Sequence, residues 1–174
     1  MLLTSVFTLL ILAPVQQPIA MGVCQALHNL SSLDGKDVAI RGVWMIGHGG
    51  QVLTSDDACD PPIVRDGWLW RDTIEVVADR RVTIKGYVAE HRRLQKKEGG
   101  DVKVVTTLIG VIETREHFAV LRYPSGFEMP GGFRYSVAQL RLRQAKEYVV
   151  FPYQPGELER ELERERRPWP IRVR

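Results

Sequence analysis

The sequence predicts a mainly β protein, a small closed barrel entered through a short helix. Two observations carry this. Three long segments show apolar–polar alternation, the period of a strand with one buried face. Each of them also holds an internal glycine, which marks a bulge or bend where a sheet curls on itself. The repetition is visible by eye: "DVAIRGVWMI", from Asp37, is echoed by "RVTIKGYVAE", from Arg81. In the first, Val38, Ile40, Gly42, Trp44 and Ile46 share a face; in the second, Val82, Ile84, Gly86 and Val88 do. "DVKVVTTLIGVIET" supplies the third, with Gly110 late in its run.

Ahead of these lies "VCQALHNLSSLDGK", where Val23, Leu27 and Leu30 mark one helical face and Asp34-Gly35 turns the chain. After the first long strand, "GHGG" forms a tight hairpin turn into "QVLTS". "GWLWRDTIEVVADR" is ambiguous, and Asp72 followed by Glu75 resembles a capping box, which favours a short helix. "EHRRLQKKEGGD" is read as a polar connection between the second and third long strands, "FAVLRY" as a short strand and "PSGFEMPGGF" as loop. "SVAQLRLRQAKEYVVF" closes the barrel, with Leu140 and Leu142 facing in and Arg141 and Arg143 facing out. Core packing accounts for Trp44, Trp68 and Trp70. "ELERELERERR" alternates charge as a solvated helix does, with too little apolar surface to dock firmly, and "PWPIRVR" is expected to fray.

The 174 residues divide into three parts on this reading. Residues 1–22 form an export signal: "MLLTSVFTLLILAPV" is uncharged and apolar, and small residues at "AMG" are spaced for cleavage. The run is too short to span a bilayer of about 30 Å as a helix, so the mature chain has no expected transmembrane segment. Residues 23–151 form the barrel, and 152–174 a charged tail, partly helical or disordered. The expected location is exported, periplasmic or extracellular. Val23 before Cys24 argues against a lipid-anchor site, which takes a very small residue there.

Cys24 and Cys59 are the two cysteines of the chain, and in an oxidising compartment an even pair implies one disulfide. The alternative is a zinc-stabilised domain using Cys24, His28, His48 and Cys59. Cys24 and His28 share a helix face, but the set lacks the short paired spacing of structural zinc sites.

The helix, the bent long strands and the closing strand resemble the OB-fold, a five-stranded Greek-key barrel. "LDGKDVAIRG" and "GQVLTSDDAC", with the later "VAQLRLRQ", further resemble a group of small exported bacterial proteins carrying a similar Cys pair. The likeness runs from about Val23 to Val150. It implies the fold and the export, and is nearly silent on activity.

Enzyme chemistry finds no parts. The chain has no G-x-S-x-G elbow, no Walker loop and no dinucleotide fingerprint after a strand. His28, His48, His91 and His117 are scattered, and Asp56, Asp57 and Asp60 lack the ligand alternation of a calcium loop. No catalytic residue, cofactor or metal is expected. Charge is more informative. Residues 79–103 carry eight Lys/Arg against four Asp/Glu, whereas residues 34–72 carry four against seven. Lys85, Tyr87, Arg92, Arg93, Lys96 and Lys97 therefore form the candidate polyanion-binding stretch. The expected function is a non-catalytic binding or structural module of the cell envelope. The alternative is binding of nucleic acid or another polyanion through residues 85–97, and export weighs against nucleic acid.

Overall fold

The barrel is closed by five strands, as the sequence predicts. In a computed structural model, described for residues 17–47, 50–65, 67–78, 85–97, 102–114, 136–166 and 171–173, the elements run as follows. β1 (Ile19–Gly22) leads into α1 (Val23–His28) and α2 (Leu30–Leu33). Then come β2 (Asp37–Gly47), β3 (Gly50–Thr54), β4 (Val64–Arg65), β5 (Trp68–Leu69) and β6 (Thr73–Ala78). α3 (Lys85–Lys97), β7 (Val102–Thr114), β8 (Ala138–Pro152), α4 (Glu157–Arg166) and β9 (Ile171–Arg172) complete the chain. The main sheet is ordered β1-β2-β3-β6-β8-β7, and β7 pairs back onto β2. β6 and β8 run parallel while the other barrel pairs are antiparallel. Closure removes the open edges that a sheet of this size would otherwise present.

The opening glycine motif does its expected work in β2. There the strand pairs with β1 over residues 38–41 and with β3 from Val43 onward, so it changes neighbour at Gly42. A Cβ on Gly42 would sit 2.6 Å from the Thr54 carbonyl oxygen and 2.7 Å from Val23 Cγ2. No side chain fits that approach. Gly110 lies at a register shift between β7 and β8, and a Cβ there would overlap the Arg141 carbonyl. Both glycines allow backbones to close on one another at a bend.

The second copy of the motif is different, and this corrects the sequence reading. Residues 81–84 lie outside the described residues, but Lys85–Lys97 is a helix, so Gly86 sits in its first turn and not within a strand. The alternation extends over only four apolar positions. Tyr87, Val88, His91 and Leu94 instead follow i, i+1, i+4, i+7, a helical face sustained over the whole segment. "EHRRLQKK" is accordingly helix and not a connecting loop. The missing strand is supplied by Thr73–Ala78, where the apparent capping box favoured a helix. β-branched Ile74 and Val76 are buried there, and β6 is held by β3 on one side and β8 on the other. Tertiary pairing overrides the local cap signal.

Other expectations hold. α1 and α2 bury Val23, Ala26, Leu27, Leu30 and Leu33 against the barrel, and Gly35 takes the left-handed turn (φ 73°) after them. Gly47 pairs with Gly50 across the hairpin. In β8, Leu140 and Leu142 are fully buried, worth about 1.5–3 kcal/mol each, while Arg141 and Arg143 point outward to Glu113 and Asp37. The core is built from Ile40, Trp44, Leu53, Ile74, Leu108 and Ile112 with these leucines.

The apolar run 1–16 lies outside the described residues, as does 115–135, which holds "FAVLRY", "PSGFEMPGGF" and His117. The boundary expected at residue 22 falls inside a continuous β1–α1 segment, with β1 parallel to β2. The last residues do not simply fray: β9 pairs with β5 in a three-stranded sheet β4-β5-β9. Trp44 and Trp70 are core residues at 1% and 6% exposure, but Trp68 is 38% exposed.

Candidate polyanion interface

α3 connects β6 to β7 and packs against β7 and β8. Its inward face is made by Tyr87, Val88, His91, Leu94 and Gln95, half-buried or buried. The opposite face exposes Lys85, Ala89, Arg92, Arg93, Lys96 and Lys97. Helical periodicity explains this division, since residues three, four and seven apart share a side. Five of the six expected polyanion residues thus project together into solvent. The sixth, Tyr87, does not join them. It turns inward and packs against the core cluster.

The charge is concentrated. α3 carries five cations and one anion, Glu90, a net of +4, where the whole chain nets +3. Arg93 neutralises Glu90 through two hydrogen bonds of 2.8 and 2.7 Å. That pairing holds the Glu90 carboxyl below its usual range. Lys96 and Lys97 occupy the last turn, where the helix dipole favours cations.

His91 fixes the helix to the barrel. It is fully buried, and its Nε2 donates to the Trp44 carbonyl oxygen at 2.6 Å. The two rings meet edge to face, with centroids 5.6 Å apart. Burial, with the charge of Arg92 beside it, pushes the His91 pKa below the ordinary histidine value despite that hydrogen bond. Tyr148 of β8 packs nearby, its phenol pushed up to about 12 by burial and then by Tyr87 and Glu90.

The zinc reading is overturned. Cys24 and Cys59 form a disulfide, so neither sulfur is a thiolate ligand. His28 is exposed, His48 lies outside the described residues, and no cluster of three potential metal ligands occurs among the described residues. The bridge instead staples α1 to the loop after β3.

A second charged site escaped the sequence. Lys103, at the start of β7, has a side chain only 10% exposed and donates to Asp56 at 2.6 Å and Glu157 at 2.7 Å. Burial works against its charge, but the two carboxylates win and raise its pKa. The ammonium also lies 6.0 Å from the Tyr153 ring centroid. α4 is therefore tied to the barrel through the Lys103–Glu157 ion pair. Beside it lies a cavity of about 490 Å3 whose lining includes Asp56, Asp57, Lys103, Glu157 and Arg160 together with Val43 and Ala58. Sequence spacing could not pair residues 47 and 54 positions apart.

Comparison with protein-family models, with curated proteins and with solved structures finds no match to this chain.

Proposed function

We propose that this protein is a non-catalytic binding module of the cell envelope that holds a polyanionic partner on the solvent face of α3. The carrying observation is the gathering of Lys85, Arg92, Arg93, Lys96 and Lys97 on one exposed side of one helix. Adjacent cations on a rigid element raise the local concentration of an anionic polymer and release its counterions on contact. His91 and the packed inner face hold that element in place, so little ordering is required on binding.

An extracytoplasmic location supports an envelope role. The Cys24–Cys59 disulfide suits an oxidising compartment, and the uncharged apolar run at the start of the chain suits export. The resemblance to small exported bacterial proteins points the same way. A nucleic acid is the second reading, because barrels of this type host such ligands. Stacking would need an aromatic among the cations, and Tyr87 is turned towards the core.

Charge reversal tests the proposal. Arg92→Glu with Lys96→Glu should abolish retention on an immobilised sulfated polysaccharide at low salt while leaving the melting temperature within a few degrees. Unchanged retention would overturn it.

A further inference from the structure

Among the described residues few large apolar side chains are exposed, and four of them, Val64, Trp68, Ile171 and Val173, gather at the β4-β5-β9 ribbon. Residues opposite one another across antiparallel strands share a face. Arg65, Trp68 and Arg172 are direct partners and form one row; Val64, Leu69 and Ile171 form the other. The Arg172 guanidinium lies 5.9 Å from the Trp68 ring centroid. Among the described residues, neither Arg65 nor Arg172 has a carboxylate partner. Gly67 turns the hairpin with φ 74°, and its carbonyl accepts the Val173 N–H at 2.9 Å. The ribbon therefore ends at Gly67 and Val173; Trp68, with Arg65 and Arg172 on either side of it, forms the next row, and Val64, Leu69 and Ile171 the row behind that.

We propose that this tip is a docking site for an anionic lipid bilayer, entered tip-first. The chemistry of each part fits one depth. An indole is amphipathic and settles at the headgroup level, where Trp is enriched in membrane-bound proteins. Val173, one residue beyond Trp68 and Arg172 towards the tip, gains by leaving water for the acyl boundary, roughly 5–10 Å below the surface. Arg65 and Arg172 meet lipid phosphates, which a planar guanidinium binds bidentately. The Arg172 guanidinium, 5.9 Å from the ring centroid, lies at the depth of the indole. A free polyanion would engage the arginines but would leave the Trp68 indole and Val173 in water. The indole and Val173 therefore select the bilayer. This docking is independent of the α3 face and adds a second anchor to it.

The full chain should sediment with vesicles of phosphatidylcholine containing about 30% phosphatidylglycerol, and much less with phosphatidylcholine alone, as an anionic surface attracts basic residues. Trp68→Ala and the double variant Arg65→Gln, Arg172→Gln should each weaken that binding by on the order of tenfold. The same anionic vesicles made with acyl-brominated phosphatidylcholine should quench the wild-type fluorescence and, at lipid concentrations that bind it, quench Trp68→Ala far less. If Trp68→Ala does not fold, the arginine pair reads the same surface with the indole intact. Wild-type-like sedimentation of both variants overturns the proposal, as does absence of wild-type sedimentation. Loss of vesicle binding only in the α3 charge-reversal variant would also overturn it, while leaving the α3 reading standing. Loss of polyphosphate binding in the tip variants with vesicle binding retained would identify a soluble anion site instead.

Discussion

His91 donates from Nε2 to the Trp44 carbonyl at 2.6 Å, joining the middle of α3 to the middle of β2 across 47 positions of sequence. The bond places a titratable ring in the interior, directly beneath a helix face bearing five cations. Burial disfavours the charged form of that ring, although the Nε2 donor itself survives protonation.

The His91 pKa is lowered in the folded chain, so the unfolded chain binds the proton more readily. Stability on this account is full above about pH 6.5 and declines as the pH falls towards the folded value. Thermal melts at about pH 7.5 and about pH 5 should show that loss in the wild type. His91→Gln keeps a donor but does not titrate, and should lessen the difference; an equal difference in both would clear His91 of the role.

Gly42 and Gly86 occupy matching places in the repeated motif and should answer substitution in opposite ways. Gly42→Ala drives a Cβ into the Thr54 carbonyl and Val23, and overpacking of this kind costs about 1–3 kcal/mol. Gly86 has nothing within 4 Å of a built Cβ and is exposed in a helix. Gly86→Ala should stabilise by roughly 0.5–1 kcal/mol. Denaturant midpoints measure both, and a loss at both positions would argue that the second segment is not helical.

The disulfide should dominate stability at the N-terminal end. Cys24→Ser is expected to cost about 2–4 kcal/mol under oxidising conditions, since the bridge restricts the unfolded chain. Reductant should lower the melting temperature of the wild type and leave that of the variant alone. Two titratable thiols in the unreduced, denatured protein would contradict the bridge.

Lys103→Met should release α4. Asp56 and Glu157 would lose their shared cation, a change of about 1–2 kcal/mol for charged hydrogen bonds at a partly exposed site. Limited proteolysis within residues 153–166 should accelerate while the barrel persists. Cleavage at the wild-type rate would place the docking of α4 elsewhere.

Much of the barrel is legible in the sequence because its longest strands alternate cleanly. Leu140, Arg141, Leu142 and Arg143 state their faces outright, and Gly42 states its bend. The misreadings share one cause. Over short windows, Val82, Ile84 and Val88 fit a strand and Asp72 with Glu75 fit a helix cap, and only pairing with distant residues decides. β6 becomes a strand because β3 and β8 flank it, and 85–97 becomes a helix because a helical stripe can cover the barrel. The cationic residues of the candidate site were legible as composition. Their sharing of one face, and the inward turn of Tyr87, follow from the helix that the sequence reading missed. Lys103 with Asp56 and Glu157 leaves no local trace at all.

Polyphosphate binding as a function of salt concentration tests the central claim most directly. The logarithm of affinity should fall linearly with that of salt, and the slope should shrink by roughly one to two when Arg92 and Lys96 are both replaced by Ala, because each neutralised phosphate contributes close to one unit. An unchanged slope in that variant, or no binding by the wild type at low salt, would contradict the account.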